Sequence, residues 1–234
     1  VFATTFLNDN IQHETERLGF LDSEVIWMYS FFTDCKISPV TYTLERLEES
    51  FGEKRFTYFR DGEMVRYLFP DSNSYCVAEM VDERSDCVRT VSWISNGCLI
   101  RKDYFTHCKV YSEYFAPCNS RAKIYSRKYF NENGTIAYEE VMDDETDAND
   151  VVLYKFPDRL IYSREELVSH MMSRLHLTKD DVVLIDGEPG KIDWVAFIQG
   201  AYPAKVGFVL HSNHFIRCDE EHVRWYGVYE YALS

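Results

Sequence analysis

Two histidines follow directly on an apolar run of strand-forming residues. The stretch reads VGFVLHSNHF, so His211 and His214 stand three positions apart after Leu210. A neutral imidazole can hold a substrate hydroxyl, exchange a proton or bind a metal ion. Spacing alone leaves three interpretations open: polar groups at a strand end, contacts to a substrate or donor sugar, and a zinc site. Zinc is the weakest of these, because an HxxH pair outside a helix has no clear third ligand here.

Two carboxylates stand in a comparable position after an earlier apolar run. Asp186 and Glu188 flank Gly187 and follow the residues VVLI. They are consistent either with a polar turn or with the lining of a site. The acidic stretch 143–150 lacks the glycine and the final glutamate of a calcium-binding EF-hand loop, and we interpret it as a solvated loop.

The segments around these residues predict a strand–helix–strand unit. Residues 181–187 read as a strand, 193–201 as a helix, and 205–215 as the next strand. Such a unit places its two strands in parallel, and the carboxyl ends of parallel strands share one edge of the sheet. Asp186, Glu188 and both histidines are therefore predicted to lie at that edge.

The sequence as a whole divides into an α/β part and a β part. Residues 1–52 predict one strand and then three helices, within 8–20, 21–34 and 43–52. Residues 159–234 begin with a helix at the capping box Ser163-x-x-Glu166. Residues 53–158 alternate polar and apolar positions between turn signals spaced about 11 residues apart, which predicts an antiparallel meander of roughly seven to nine strands. The predicted fold class is α/β, with both ends of the chain sharing one parallel sheet and a large antiparallel sheet inserted between them.

Composition excludes several classes of function. The chain has 234 residues, a formal net charge of −14 and 46% hydrophobic residues, so it can build a packed core but lacks the basic face that nucleic acid requires. Its seven cysteines show no CxxC pairing and predict buried free thiols in a reducing compartment. No apolar run reaches the ~20 residues of a membrane span, which predicts a cytoplasmic protein. Both ends read like the interior of a domain, so we expect a fragment of a longer protein.

Several stretches together resemble one known family. They include VIWMYSFFTDCKISPVT, GCLIRKDYF, YFNENGTIAYEEVM, DDVVLIDGEPG and VGFVLHSNHF, in order and with compatible spacing. The family is the catalytic subunit of the peptide N-acetylglucosaminyltransferase of the accessory Sec system in Gram-positive bacteria. The resemblance implies an incomplete N-terminal Rossmann-like domain of the GT-B fold, interrupted by an antiparallel extension sheet.

The resemblance also implies an activity and partners. Such enzymes are retaining glycosyltransferases that transfer GlcNAc from UDP-GlcNAc to serine or threonine of a serine-rich repeat adhesin, with no metal or other cofactor. They work with a related non-catalytic subunit, and the complex is expected to associate peripherally with the membrane. The family's glycine-rich first loop and its C-terminal domain lie outside these 234 residues, so the fragment alone is expected to be inactive. A non-catalytic acceptor-binding paralogue and a teichoic-acid glucosyltransferase remain alternatives.

The resemblance assigns roles to the residues at the strand ends. His211 falls on the histidine that lines the donor-sugar pocket and is the candidate catalytic residue. His214 is the second histidine of the same motif, and Ser212, Asp186 and Glu188 complete the expected substrate-binding set. Two departures affect this edge, because H-S-N-H replaces H-A-E-H and D-G-E-P-G replaces a turn resembling D-R-E-T-G.

Basic and aromatic residues alternate on several strands of the predicted sheet. A half-buried sheet and a surface for an extended partner explain this pattern equally well. Given the resemblance, we expect Arg101, Lys102, Tyr104 and Lys128 to bind the acceptor or the partner subunit. We also expect Arg101 and Tyr104 to be presented on one face.

Overall fold

The computed structural model describes residues 1–118, 121–143, 150–186, 194–209, 215–217 and 223–225. The chain divides into two compact units, Val1–Ile161 and Tyr162–Ser234. Both units contain helices and strands.

The first unit begins with a pair of short parallel strands. Strand β1 (Phe2–Thr4) pairs with β2 (Val25–Trp27), and the connection between them contains helix α1 (Ile11–Arg17) and a 3-10 turn (Asp22–Glu24). Gly19, with a φ of +89°, follows the predicted first helix and ends it, because glycine enters the left-handed region without strain.

The second predicted helix is wrong in its first half. Apolar spacing predicted one helix over residues 21–34, but Val25–Trp27 form β2 and only Met28–Phe31 form helix α2. Pairing with β1 is a tertiary contact that overrides the local helical spacing. The third predicted helix is confirmed as α3 (Leu44–Ser50), whose N-cap Thr43 accepts a hydrogen bond from the first turn.

The rest of the first unit is a ten-stranded antiparallel sheet, formed by strands between Thr57 and Ile161, which we call the extension sheet. Its strands follow one another in sequence order from edge to edge, so the predicted meander is confirmed. It has one strand more than the seven to nine expected, and the last strand is too short to show periodicity. The strands are β3 (Thr57–Asp61), β4 (Met64–Phe69), β5 (Ser74–Met80), β6 (Val88–Ser95), β7 (Cys98–Phe105), β8 (Lys109–Cys118), β9 (Arg121–Phe130), β10 (Ile136–Met142), β11 (Val151–Lys155) and β12 (Leu160–Ile161).

The predicted hairpin turns are confirmed at three glycines. Gly62, Gly97 and Gly134 have φ values of +56°, +76° and +81°. Asn96, just before Gly97, also has a positive φ of +50°. Two consecutive positive φ values suit the tight turn that joins two twisted strands, and Asn-Gly adopts them at low cost.

One face of the sheet is covered at the β3–β6 end by helix α3. Exposed and buried residues alternate along β4, and the buried ones pack beneath Leu47 of α3 and Phe51, the residue that caps this helix. The β4 residues concerned are Val65, Tyr67 and Phe69, and each aromatic ring buried here contributes on the order of 2–3 kcal/mol through apolar burial. This period-two pattern leaves the other face of the same strands uncovered by α3.

The opposite face is covered at the β9–β10 end by the α2 region. Tyr29 stacks on Tyr129 with ring centroids 5.6 Å apart, and the Tyr138 hydroxyl donates to the Tyr29 carbonyl at 3.0 Å. Tyr129 and Tyr138 also stack on each other, with centroids 4.4 Å apart. The N-terminal segment is therefore anchored to the sheet by aromatic packing.

The second unit contains the predicted strand–helix–strand arrangement. Strands β13 (Val182–Asp186) and β14 (Lys205–Val209) run parallel, and helix α5 (Trp194–Gly200) lies between them in sequence. A short antiparallel pair follows, formed by β15 (Phe215–Arg217) and β16 (Val223–Trp225).

Helices α4 and α5 of this unit approach each other closely. Helix α4 (Arg164–Ser173) begins at the predicted capping box, where Ser163 Oγ accepts a hydrogen bond from Glu166 N at 3.1 Å. An added Cβ at Gly200 of α5 would come within 2.6 Å of Met172 Cβ in α4. Such an approach requires glycine at position 200.

Strand β1 hydrogen-bonds with β2 in the first unit, and β13 hydrogen-bonds with β14 in the second unit, each as a two-stranded parallel pair. One parallel sheet shared by the two ends of the chain stays a prediction. The division into 1–52 with 159–234 and an inserted 53–158 therefore stays a prediction. Among the described residues, no helix combines the length and the apolar character that crossing a bilayer would need.

Candidate functional site

The carboxyl end of the β13–β14 pair is the edge at which the donor site was predicted. Asp186, the last residue of β13, is exposed and pairs in register with Val209, the last residue of β14. The chain therefore leaves both strands at the same edge, as the parallel arrangement requires. In the part of the chain that the structure describes, no three His, Cys, Asp or Glu side chains are grouped to hold a metal ion. The other predicted residues of this edge lie outside the described residues: Glu188, His211, Ser212 and His214.

The four predicted partner-binding residues do not share one face of the sheet. Arg101 and Tyr104 are three positions apart in β7 and therefore point to opposite faces. The register places Lys128 on the face of Arg101, with its Nζ 5.0 Å from the Tyr114 ring centroid, and Lys102 on the face of Tyr104. The expectation that Arg101 and Tyr104 are presented together is wrong, because side chains alternate along a strand.

Arg101 neutralises a buried carboxylate. Its guanidinium carbon lies 4.6 Å from the Trp93 ring centroid, and its Nε lies 3.0 Å from Asp103 Oδ1. That Nε has no well-aligned hydrogen bond among the described residues, so its contact with Asp103 is an ion pair. Asp103 is 3% exposed and accepts hydrogen bonds from Trp93 Nε1 at 2.7 Å and Ser112 Oγ at 2.6 Å. A buried charge must be paired, and Arg101 supplies the positive charge that pairs with Asp103 inside the sheet.

Tyr104 and Lys102 also have contacts within the sheet. The Tyr104 ring stacks on Tyr111 with centroids 4.2 Å apart, and its hydroxyl donates to Glu113 Oε2 at 2.9 Å. Burial raises the pKa of Tyr104, and the Glu113 carboxylate raises this pKa further, so the phenol stays a neutral donor. Lys102 Nζ lies 5.1 Å from the Tyr104 ring centroid.

Exposed apolar residues cluster on the face of β3–β5 that α3 leaves uncovered. Phe59 is 66% exposed, Leu68 47% and Met64 46%. Phe59 pairs with Arg66 across the strands, and Leu68 pairs with Tyr75, so all five side chains lie on one side. We call this surface the open face. The aromatic strand RFTYFR hinted at it in sequence, but only the position of α3 shows which side is uncovered.

A buried charge cluster at the centre of the sheet was missed by sequence reasoning. Arg127 donates from Nη1 to Glu140 Oε2 at 2.8 Å and from Nη2 to Glu113 Oε1 at 3.0 Å. The Tyr129 hydroxyl donates to the same Glu140 oxygen at 3.1 Å, and the Glu140 side chain is 1% exposed. Burial raises the pKa of Tyr129 well above its ordinary value, and Glu140 adds to the rise. These residues come from three strands whose register no local pattern reveals.

The ten-stranded sheet matches a known domain family. The family described as the GtfA extended beta-sheet domain matches residues 57–158. The UDP-N-acetylglucosamine–peptide N-acetylglucosaminyltransferase GtfA subunit of Streptococcus gordonii is 40% identical over 236 aligned residues, which cover 100% of this chain and 46% of that protein. The same subunit of Streptococcus agalactiae is 36% identical, with 100% and 45% covered.

Solved structures extend the similarity to three dimensions. A chain of a GtfA/B complex is 38% identical with a TM-score of 0.88, covering 98% of this chain and 45% of that one. The pneumococcal O-GlcNAc transferase GtfA in complex with UDP and GlcNAc is 34% identical with a TM-score of 0.86, and the same shares are covered. TarM, at 15% identity and a TM-score of 0.67 over 99% of this chain and 47% of its own, is similar in fold alone.

The similarity to GtfA subunits reaches beyond the extension sheet. It covers all of this chain, whereas the chain spans only about 46% of the length of those relatives. The predicted resemblance is therefore confirmed: the chain is similar along its whole length to part of the GtfA subunit of UDP-N-acetylglucosamine–peptide N-acetylglucosaminyltransferases, and residues 57–158 match the family described as the GtfA extended beta-sheet domain.

Proposed function

We propose that this chain is part of a retaining GT-B glycosyltransferase with a Rossmann-like N-terminal domain. The enzyme transfers GlcNAc from UDP-GlcNAc to serine or threonine hydroxyls of a serine-rich repeat adhesin. The observation that carries the proposal is the 40% identity to a named peptide N-acetylglucosaminyltransferase subunit over the whole chain. A relative at 34% identity whose structure is described with UDP and GlcNAc supports the same donor. We place the protein in the cytoplasm, with its complex peripherally associated with the membrane.

The donor sugar is proposed to bind at the carboxyl edge of β13 and β14. His211 follows Val209 by two positions in the sequence, and Val209 ends β14 at the edge where Asp186 is exposed. Negative charge develops on UDP as the glycosidic bond breaks, and a hydrogen-bond donor fixed beside it stabilises that charge. The imidazole of His211 can supply this donor or hold a sugar hydroxyl. His214, Ser212, Asp186 and Glu188 complete the proposed substrate-binding set.

Two alternatives differ from this proposal in their chemistry. A non-catalytic paralogue would recognise the acceptor without transferring sugar, and a teichoic-acid glucosyltransferase would use UDP-glucose. Similarity to TarM at 15% identity supports fold alone and does not favour the second alternative. Neither alternative has a specific observation in its favour.

A donor-resolved transfer assay tests the proposal. The full-length protein that contains this chain, purified with its partner subunit, is given a serine-rich peptide with either UDP-GlcNAc or UDP-glucose. Mass spectrometry should find GlcNAc on serine or threonine, transferred about tenfold or more faster than glucose, and no transfer by the 234-residue chain alone. Preference for glucose would overturn the proposal in favour of a teichoic-acid glucosyltransferase. No transfer from either donor would overturn it in favour of a non-catalytic paralogue.

The open face is proposed to dock the related non-catalytic subunit. Its residues Phe59, Met64 and Leu68 are 46–66% exposed, and exposed apolar side chains grouped on one face of a sheet are typical of a protein interface. Strand β3, which contributes Phe59 to this face, is an edge strand with β4 as its one neighbour among the described strands, so a partner strand can also pair there. A relative of this chain is known within a GtfA/B complex, which supports the kind of partner. Arg101, which neutralises Asp103, is expected to act mainly on the stability of the sheet.

The Leu68→Glu substitution should weaken partner binding about tenfold. A carboxylate among the apolar residues of the open face would have to be desolvated against an apolar partner, which costs about 1.4 kcal/mol or more. Val152→Glu on β11 is the matched control, because Val152 is 45% exposed and Leu68 is 47% exposed. Binding of the partner is measured by titration calorimetry, and the control should change the dissociation constant less than twofold. Equal affinities for the two variants would remove the open face from the interface.

A further inference from the structure

Two cysteines from distant parts of the chain meet beneath the surface of the first unit. Cys35 Sγ and Cys108 Sγ are 3.4 Å apart, and the two residues are 5% and 8% exposed. The prediction of buried free thiols is confirmed for these two and for Cys76, but it is wrong for Cys98 and Cys118, which are exposed. Since a disulfide bond is about 2.05 Å long, the two sulfurs need to approach by only about 1.4 Å.

Both cysteines lie in connections, where such a movement is tolerated. Cys35 lies in the connection between α2 and α3, and Cys108 lies in the turn between β7 and β8. The two segments are already in contact, because the Thr41 and Tyr42 amides donate to the Thr106 carbonyl at 3.0 and 2.9 Å. The two connecting segments are thus already held together. Formation of a disulfide would move residues of these segments and not the interior of a strand.

The environment of the pair favours a reaction with a small oxidant. Cys35 lines a cavity of about 40 Å³ together with Trp27, Ser30 and Val110, which is room for a few water-sized molecules. The contact between the two thiols lowers the pKa of Cys108 and raises the pKa of Cys35, while burial raises both pKa values. Cys35 lines the cavity and Cys108 lies beside Cys35, so oxidation of either sulfur leaves the other placed to close the disulfide.

We propose that Cys35 and Cys108 form a redox-sensitive dithiol that closes to a disulfide when peroxide oxidises it, and that the disulfide fixes the α2–α3 connection to the β7–β8 turn. The connection joins the parallel β1–β2 pair to the helix that covers the extension sheet. The modification site is independent of the proposed sugar transfer.

The chemistry balances with one equivalent of hydrogen peroxide. One sulfur of the pair attacks one oxygen as the thiolate, the O–O bond breaks, and hydroxide leaves and takes up the proton lost by that thiol, which gives water. The other sulfur then attacks the oxidised one, the S–O bond breaks, and hydroxide leaves with the proton of the second thiol as a second water. Two thiols are oxidised to one disulfide, and a small dithiol such as dithiothreitol reverses the reaction.

The test is peptide mapping of the full-length protein after treatment with hydrogen peroxide. Free thiols are blocked with iodoacetamide under denaturing conditions, and the non-reduced digest should contain a peptide cross-linked through Cys35 and Cys108. Hydrogen–deuterium exchange at residues 36–42 should slow about tenfold and recover with dithiothreitol. Cys108→Ser should abolish both effects, while the matched variant Cys98→Ser, at an exposed cysteine, should keep them.

The peptide map of the peroxide-treated protein without substitutions decides the proposal even if Cys108→Ser fails to fold. Recovery of both cysteines as alkylated thiols after peroxide would overturn it. So would sulfinic acid at either cysteine without a cross-linked peptide. A cross-link that leaves exchange at residues 36–42 unchanged would overturn the claim that the disulfide fixes this connection.

Discussion

Replacing His211 with asparagine should lower kcat for GlcNAc transfer about 100-fold in the full-length protein. The asparagine amide is shorter than imidazole and cannot exchange a proton near neutral pH, so the proposed donor at the leaving UDP is lost. The effect should fall mainly on kcat, because the interaction strengthens as charge develops in the transition state. Initial rates of transfer to a serine-rich peptide, measured over a range of UDP-GlcNAc concentrations, separate kcat from KM.

His176→Asn is the matched control for that substitution. His176 is exposed and has a φ of +52°, a conformation that asparagine tolerates well. Its transfer rate should stay within about twofold of the parent protein. A His211→Asn enzyme as active as this control would show that the histidine does not contribute to the reaction.

Replacing Arg127 with methionine should destabilise the extension sheet by about 3–5 kcal/mol. The Arg127 guanidinium is the cation shared by Glu113 and Glu140. Because Glu140 is buried, loss of the guanidinium leaves an uncompensated carboxylate in the interior. The loss would appear as a lower midpoint in urea unfolding. Arg159→Met is the control, because its pair with Asp158 is exposed and should be worth less than about 0.5 kcal/mol.

A second substitution tests the cause assigned to that loss. Adding Glu140→Gln to Arg127→Met removes the unpaired charge, and it should recover part of the lost stability. The deficit of Arg127→Met should also shrink as the pH falls toward the ordinary glutamate pKa of about 4.3. A carboxylate that has lost its cation has a raised pKa in the folded state, so protonation removes the penalty. A deficit that stays constant with pH would point to lost packing instead.

Local patterns predicted the extension sheet well because its signals are local. Asn96-Gly97 and Gly134 supply turn geometry that few other residues allow, and alternation between such turns leaves little choice but a meander. Strand β12 escaped prediction because two residues, Leu160 and Ile161, cannot show a period. The fold class was therefore readable for the part of the chain in which neighbours in sequence are neighbours in space.

Errors arose where a tertiary contact decides the local conformation. Val25–Trp27 form a strand because β1 lies beside them, although the surrounding apolar residues have helical spacing.

The separation of Arg101 from Tyr104 onto two faces has a different cause. It follows from the alternation of side chains along a strand and was available from the sequence. Grouping them by composition instead of by parity caused that mistake.

The contacts that define the candidate surfaces join residues that are far apart in the sequence. Cys35 and Cys108 are 73 positions apart, and no spacing rule connects them. The Arg127 cluster needs the register of three strands, and the open face needs the position of α3. Asp186 is the exception, since parallel strands alone place it at the carboxyl edge beside the chain that leads to His211.

A crystal structure of the full-length protein with UDP and GlcNAc tests the central claim most directly. The measured quantity is the distance from the nearest ring nitrogen of His211 to the sugar or the leaving phosphate. We predict that the sugar lies at the carboxyl ends of β13 and β14, with that distance at about 2.6–3.2 Å. A sugar bound at another edge, or a His211 ring packed into the interior away from it, would contradict the account.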